Sequence, residues 1–389
     1  MSAGYVFAVS KDGWNSFVEN NLQKGFFVPR NIKISDEMTS RKMSVSYKIL
    51  SSVFGDLITM KAGDNVYFLS DRKIYGVGEL VNIKNDCKYE MISNSSGLEF
   101  DDWYNKKMLL IESDEVERWG VFFEPSPYFF VKGADMDDVL SYRPYAFRTL
   151  RAFEGLSFIK IDEEENRALK EYISLINENS YASIKTTTYK FSPEIHKSAK
   201  RKDLSGFRLD IGKAYDCHKD TKFFSEMYLE ATLLQALQNK EYGEIFGKWD
   251  YLSHQVIASP FKPLTYVDKI DIFGMRFSDK YRDTPRLVTK YLIIELKKDK
   301  VNGKAIEQTM QYVDWVCREY ASGDYSRIEA YVVGNGAVRT ISQTLHENCQ
   351  RYYISETHPV VTRKWDNLKI VTYNYNEKKK RIEFSKEEC

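Results

Sequence analysis

Glu295 and Lys297 stand two residues apart at the end of the segment YLIIELKK, and an acidic segment, VDKIDIFG, precedes them with Asp271 at its centre. In an extended strand successive side chains point to opposite faces, so Glu295 and Lys297 share one face while Ile294 and Leu296 share the other. If the two segments pair as a hairpin, Asp271 reaches the same edge. Two carboxylates then flank a place for a divalent cation, with an ammonium group beside it. Phosphodiester hydrolysis needs such a set: charge neutralisation at the phosphate, a water held in line, and help for the leaving oxygen. Mg²⁺ (or Mn²⁺) takes oxygen ligands and keeps several waters, so two or three carboxylates suffice. On this reading Asp271 and Glu295 are the metal ligands, and Lys297 orients the attacking water and stabilises charge developing on phosphate. The same three residues also suit an ordinary surface ladder of cross-strand charge pairs.

The elements that must position these residues follow an α/β order. FFSEMYLEATLLQALQ carries Phe224, Met227, Ala231 and Leu234 on one helical stripe and sets Glu226 and Glu230 four residues apart on one face. Either carboxylate could add a metal ligand or a supporting contact. Strands are expected around Val267 to Phe277, Leu292 to Leu296 and Ile328 to Val333, with a helix from Ala305 to Tyr320 and a final strand pair at Leu368 to Tyr375 and Arg381 to Phe384. Gln308 opens the helix after the lysine strand, where its amide could order water or contact a nucleic-acid backbone. Lys298, Lys300 and Lys304 form a basic run beside the proposed site and are candidate phosphate contacts.

The first half reads as strand-rich, with YVFAV at 5–9, NVYFL at 65–69 and KIYGVGELVNI at 73–83. A charged helix begins near Asp162, where Glu163 to Glu165 suit a helix N-terminus, and runs through Leu169, Ile173 and Ile176. Residues 1–178 are read as one domain, the Ser-, Thr- and Lys-containing stretch 179–219 as a linker, and 220–389 as a second domain.

Composition narrows the classes. With 43% hydrophobic residues the chain supports packed cores and is not a disordered protein. Its 57 basic and 56 acidic residues nearly cancel, so attraction to a polyanion must come from local patches. Five scattered cysteines without a Cys-x-x-Cys pair argue against a disulfide framework or a zinc knuckle. No apolar run of roughly 18 residues and no basic-then-apolar leader at Met1 is present, which predicts a soluble, cytoplasmic protein without membrane partners.

The series Glu226-x-x-Leu229-x-x-x-Leu233, Asp271-Ile272, Glu295-Leu296-Lys297 and Gln308-x-x-x-Tyr312 resembles the PD-(D/E)XK nuclease superfamily, and within it the Shedu-type antiphage and NucS-like endonucleases. The resemblance covers roughly residues 220–335. The superfamily's Pro-Asp pair is absent, since Ile270 precedes Asp271, and Asp268 is a second candidate for the aspartate. The resemblance implies a restriction-endonuclease-like fold, a mixed sheet flanked by helices. It further implies Mg²⁺-dependent cutting or nicking of invading DNA, and a homo-oligomer, dimer or tetramer. Segments YVFAVSKDGWNSFVENN, FGDLITMKAGDNVYFLSDRKIYGVGEL and FEGLSFIKI resemble the PUA-like group that includes EVE and YTH domains, over about residues 1–178. That resemblance implies a β-rich α+β domain that binds nucleic acid by clasping a base between aromatic rings, with Trp14 and Trp119 as candidate walls and Ser10 as a polar contact. Two other classes stay open: a DNA-repair endonuclease for mismatched or damaged DNA, and a non-catalytic nucleic-acid reader.

Overall fold

In the computed structural model the described residues are 2–28, 32–33, 40–92, 116–152, 158–212, 225–258, 268–278, 287–338, 341–376, 378 and 381–386. Phe224 of the expected helical stripe and Val267 of the expected strand lie outside them, as do Cys217 and Cys389. The chain is mixed α/β and divides into two compact units, Met1–Leu209 and Asp210–Cys389. Among the described residues no helix is long and apolar enough to cross a membrane.

The first unit is built on strands β1 (Gly4–Ala8), β2 (Phe26–Phe27), β3 (Ile32–Lys33), β4 (Asn65–Ser70), β5 (Lys73–Leu80), β6 (Lys88–Ile92), β7 (Val116–Pro125), β8 (Ala134–Asp135) and β9 (Phe158–Ile161). They form one sheet with the path β2-β7-β5-β4-β1-β9, to which β3 and β6 attach at β7 and β8 at β5. Its helices are α1 (Trp14–Asn20), α2 (Ser40–Ile58), α3 (Met136–Tyr142), α4 (Glu163–Ile176), α5 (Ile184–Thr187) and α6 (Glu194–Arg201). Helix α4 starts where its sequence says it should: Asp162 caps it, accepting from the amides of Glu164 and Glu165, and Glu165 reaches back to complete a capping box. Its buried Ala168, Leu169 and Ile173 pack with Val6, Tyr67 and Ile159 of the sheet.

The stretch expected to be a linker is largely folded onto this unit. Tyr189 N–H donates to Phe129 O, Val131 N–H to Thr187 O, and Ser192 N–H to Gln23 O. His196 of α6 is buried against Phe122 and Phe191, with Nε2 2.8 Å from Gly25 O. Gly25 has φ 66, and a Cβ there would collide with Phe123 O, so glycine is required where α6 closes on the sheet. The hydrophilic composition of 179–209 hid a few anchors, His196, Ala199 and Leu204, that suffice to dock it.

In the second unit strands β10 (Tyr251–Ile257), β11 (Lys269–Phe277), β12 (Val288–Leu296), β13 (Ile328–Gly334), β16 (Leu368–Asn376) and β17 (Arg381–Lys386) make a six-stranded sheet in the order β10-β11-β12-β13-β16-β17. A separate two-stranded ribbon is formed by β14 (Arg351–Thr357) and β15 (Val360–Trp365). Pairing is antiparallel across β10-β11-β12, parallel across β12-β13-β16, and antiparallel at β16-β17. Helices are α7 (Glu226–Gln238), α8 (Gly243–Phe246), α9 (Gly303–Glu319) and α10 (Ile341–Asn348).

Strand β12 is buried without interruption from Tyr291 to Leu296, as expected for a strand with neighbours on both sides and a crossover helix on a face. Helix α9 is that crossover between the parallel strands β12 and β13. Asn302 caps it by accepting from Ala305 N–H at 3.1 Å, and its Ala305, Ile306, Met310, Val313 and Val316 join Phe273, Tyr291 and Ile293 in one core. Helix α7, capped by Ser225, packs along β10, β11 and β12. Sequence reading assigns no element to β10, α2 or the β14–β15 ribbon.

Candidate active site

The antiparallel register of β11 and β12, with Ile272 opposite Ile294, sets Asp271 beside Glu295. Asp271 Oδ2 accepts from Leu296 N–H at 2.7 Å, so the aspartate is tied to the strand that carries the glutamate and lysine. Of the two aspartates it is Asp271 that this register sets beside Glu295. Lys297 Nζ lies 2.5 Å from Glu295 Oε1 and 3.4 Å from Gln308 Oε1. Gln308 is aimed by Tyr312 one turn on: its Nε2 donates to the Tyr312 hydroxyl at 2.7 Å, leaving Oε1 for the lysine. The structure thus brings Asp271, Glu295, Lys297 and Gln308 into one chain of contacts.

Glu295 is 1% exposed, and its Oε2 is buried with no hydrogen-bond partner. This is incompatible with a surface charge ladder, whose members keep their solvation. An ionised buried oxygen without a partner costs several kcal/mol as an order of magnitude unless something positive reaches it. Burial raises the Asp271 carboxyl well above the ordinary aspartate value, and the charges of Glu295 and Glu230 raise it further, against the Leu296 amide and Lys297. Burial likewise raises Glu295, opposed by its hydrogen bond and charge contact with Lys297. For Lys297, burial works to lower the ammonium value, but the Glu295 contact, with Asp271 and Glu226, outweighs it and the value rises. The lysine is therefore a cation at neutral pH. Burial also raises the Tyr312 phenol, so its hydroxyl stays protonated.

A divalent cation fits this donor set: two crowded carboxylates on adjacent strands, one with a buried oxygen that no donor reaches, and both pushed toward protonation by burial. Among the described residues no group of three or more His, Cys, Asp or Glu side chains converges in metal-holding geometry. The fit is therefore that of a hard cation held by two carboxylates and waters, not of a closed cage.

The two helix glutamates differ. Glu226, exposed at the first turn of α7, accepts from Lys298 N–H at 3.0 Å and so stands at the end of β12. Glu230 is 3% exposed and occupied: Oε1 is 2.8 Å from His254 Nδ1 and Oε2 accepts from Gln255 Nε2 at 3.0 Å. Gln255 Nε2 is also 3.2 Å from Asp271 Oδ1. Sequence reasoning missed His254 and Gln255. The available signal was the polar pair inside SHQVI, an interruption in an otherwise strand-like stretch that ends Val256, Ile257. Lys298, Lys300 and Lys304 are exposed in the segment leading into α9.

In the first unit Ser10 is exposed and its Oγ accepts from Gly13 N–H at 3.2 Å. Trp14 is half-buried, stacked on Tyr75 with centroids 4.2 Å apart and edge-on to Tyr189 at 6.4 Å. Trp119 must be corrected. It is 3% exposed and meets Phe54 edge-on at 5.5 Å, a core residue between β7 and α2 rather than the wall of an open site. Glu90 of β6 lies opposite it in the strand register.

Neither family models nor curated proteins give a match to this chain. Among solved structures it is similar to a hypothetical protein from Leishmania major, at 11% identity, over 46% of this chain and 98% of that one, with a TM-score of 0.27. It is also similar to a protein from Agrobacterium tumefaciens at 13% identity, over 44% of this chain and 92% of that one, with a TM-score of 0.22. Likenesses this low carry no argument about activity.

Proposed function

We propose that the second unit is a PD-(D/E)XK-type, Mg²⁺- or Mn²⁺-dependent endodeoxyribonuclease, and that the protein serves prokaryotic defence by nicking or cutting invading DNA. The observation that carries the reading is the buried Glu295 carboxylate, with Oε1 on the Lys297 ammonium and Asp271 beside it on the neighbouring strand. A bound divalent ion supplies charge neutralisation at the scissile phosphate. Asp271, anchored through Leu296 N–H, and Glu295 would hold that ion. Lys297, kept cationic by its carboxylate neighbours, faces the negative charge that builds on phosphate and orients water. Gln308, locked by Tyr312, steadies the lysine, its carbonyl oxygen accepting from the ammonium at 3.4 Å. The exposed Lys298, Lys300 and Lys304 draw the phosphate backbone toward the end of β12.

The first unit is proposed as a PUA-like nucleic-acid reader, supported by the half-buried Trp14–Tyr75 stack beside exposed Ser10. A single catalytic set per chain nicks one strand, so clean double-strand breaks are expected from a dimer or tetramer. The test is cleavage of supercoiled plasmid with Mg²⁺, Mn²⁺ or EDTA by the wild type, Glu295→Gln and Lys297→Ala. Metal-dependent nicking lost in both variants is expected; equal activity in all three proteins would remove this site from the reaction.

A further inference from the structure

Strands β10 and β11 pair with His254 opposite Ile272 and Val256 opposite Ile270, which puts Gln255 beside Asp271. Consecutive residues of a regular strand point to opposite faces. Yet His254 and Gln255 both bond the carboxylate of Glu230, His254 at Oε1 and Gln255 at Oε2. The backbone reconciles the two, because Gln255 has φ 51, in the left-handed region that a residue with a Cβ occupies at a cost. From there its Nε2 serves a helix carboxylate, Glu230, and a strand carboxylate, Asp271, together. A strained, non-glycine residue in mid-strand persists only where its surroundings hold it, and such residues gather at functional sites.

We propose that Gln255 is a positioning residue: by tying Asp271 to the buried Glu230 it fixes the Asp271 carboxylate and thereby sets the affinity of the Asp271–Glu295 pair for a divalent cation. This rests on the nuclease reading above. Asp271 has two oxygens, one held by Leu296 N–H and the other by Gln255, so the carboxylate plane has no free rotation. Without Gln255 only the oxygen on Leu296 N–H is held, and Asp271 no longer faces Glu295 in one fixed orientation. His254 completes the tie from the far side by anchoring the other Glu230 oxygen. The glutamine's amide also puts N–H dipoles between the two carboxylates. Outer partners of this kind typically alter metal affinity or activity 10–100-fold, on the order of what a ligand's support supplies.

The experiment is calorimetric titration of the full chain with Mn²⁺, for the wild type, Gln255→Gly, Gln255→Met and Asp271→Ala, with melting curves in EDTA. Glycine is at ease at φ 51, so Gln255→Gly removes the side chain while relaxing the backbone. The relaxed backbone offsets part of the two lost hydrogen bonds to Glu230 and Asp271, so its melting temperature should fall by only a few degrees, while its Mn²⁺ dissociation constant rises by about 10–100-fold. The Mn²⁺ concentration for half-maximal plasmid nicking should move by the same factor, with the rate at saturating Mn²⁺ changed only a few-fold. Gln255→Met keeps the length of the side chain without its donors and should weaken Mn²⁺ binding equally; it carries the test if the glycine variant melts low. Wild-type Mn²⁺ affinity in a folded Gln255→Met overturns the proposal. Mn²⁺ binding that depends on Asp271 and Gln255 without any DNA cleavage would keep the positioning role and discard the nuclease, whereas a wild type that binds no Mn²⁺ discards both.

Discussion

Asp271→Asn should make the metal-free protein more stable while abolishing its cleavage. Asp271 Oδ1 and Glu230 Oε2 lie 3.2 and 3.0 Å from the same Gln255 nitrogen, so the two oxygens are at most about 6 Å apart. At an effective dielectric constant of about 20, two unit charges at that separation repel by about 3 kcal/mol. Glu295 adds repulsion, and Lys297 offsets part of it. Asparagine removes the charge and keeps the shape, but its one oxygen accepts from Leu296 N–H alone while its Nδ2 faces the Gln255 amide, so the Gln255 bond is lost as well and the hydrogen-bonding cost is about 1–2 kcal/mol. The net expectation is a gain of about 1–2 kcal/mol in EDTA at pH 8, or roughly 2–8 °C in the transition of a unit of this size. The pH dependence has a definite sign. The folded-state value of Asp271 is raised, so its protonated form is the one the fold favours. The wild type therefore carries the deficit at high pH and sheds it as the pH falls through the raised value, where the two proteins should converge. Mn²⁺ at about a hundred times its dissociation constant stabilises a protein that binds it by about 2.7 kcal/mol, so metal should reverse the order and leave the wild type the more stable. Differential scanning calorimetry in EDTA and in Mn²⁺ reads both effects. An asparagine variant that melts lower than the wild type in EDTA, or a wild type indifferent to Mn²⁺, would refute the reasoning.

Four further outcomes are expected. Lys297→Ala should reduce plasmid nicking by roughly 10²–10³-fold, the range for losing one charge-stabilising donor, while Mn²⁺ binding measured by calorimetry persists. Tyr312→Phe should cost about 1 kcal/mol in urea unfolding and lower nicking several-fold, because Gln308 loses the hydroxyl that aims it; an unchanged rate would separate Gln308 from catalysis. Trp14→Ala should weaken single-stranded oligonucleotide binding, followed by fluorescence anisotropy, by about 1–3 kcal/mol with little loss of stability. Trp119→Ala should instead destabilise the first unit by about 3–5 kcal/mol in the same unfolding assay.

How much of this was legible in the sequence depended on whether a residue's surroundings are local. β11, β12, α9 and β13 were readable because their apolar spacing follows the strand and helix periods, and the Asp162 cap of α4 was readable because a capping box spans four residues. The coincidence of Gln308 with Tyr312 also follows from helical spacing alone. β10 was not readable, since the site itself breaks its pattern: His254 and Gln255 occupy positions that a purely structural strand would fill with apolar residues. The split between Glu226 and Glu230 was equally hidden. Both sit on one helical face, and only tertiary packing exposes the first while burying the second between His254 and Gln255. Trp119 shows the same limit, because a strand's sequence does not say which of its faces meets α2.

The register of β11 against β12 has an evolutionary consequence. A slip of one residue would exchange Asp271 for Ile270 or Ile272 beside Glu295, so the hairpin can change length only where the slip is absorbed before it reaches the site. The pairing contains such a place: its one irregularity falls between Arg276 and Phe277, at the far end of the strands from Asp271. Insertions and deletions between Phe277 and Val288 should therefore be tolerated across diverging descendants of this chain, whereas a single-residue indel between Asp271 and Met275 should be seen only in lineages that have given up the chemistry.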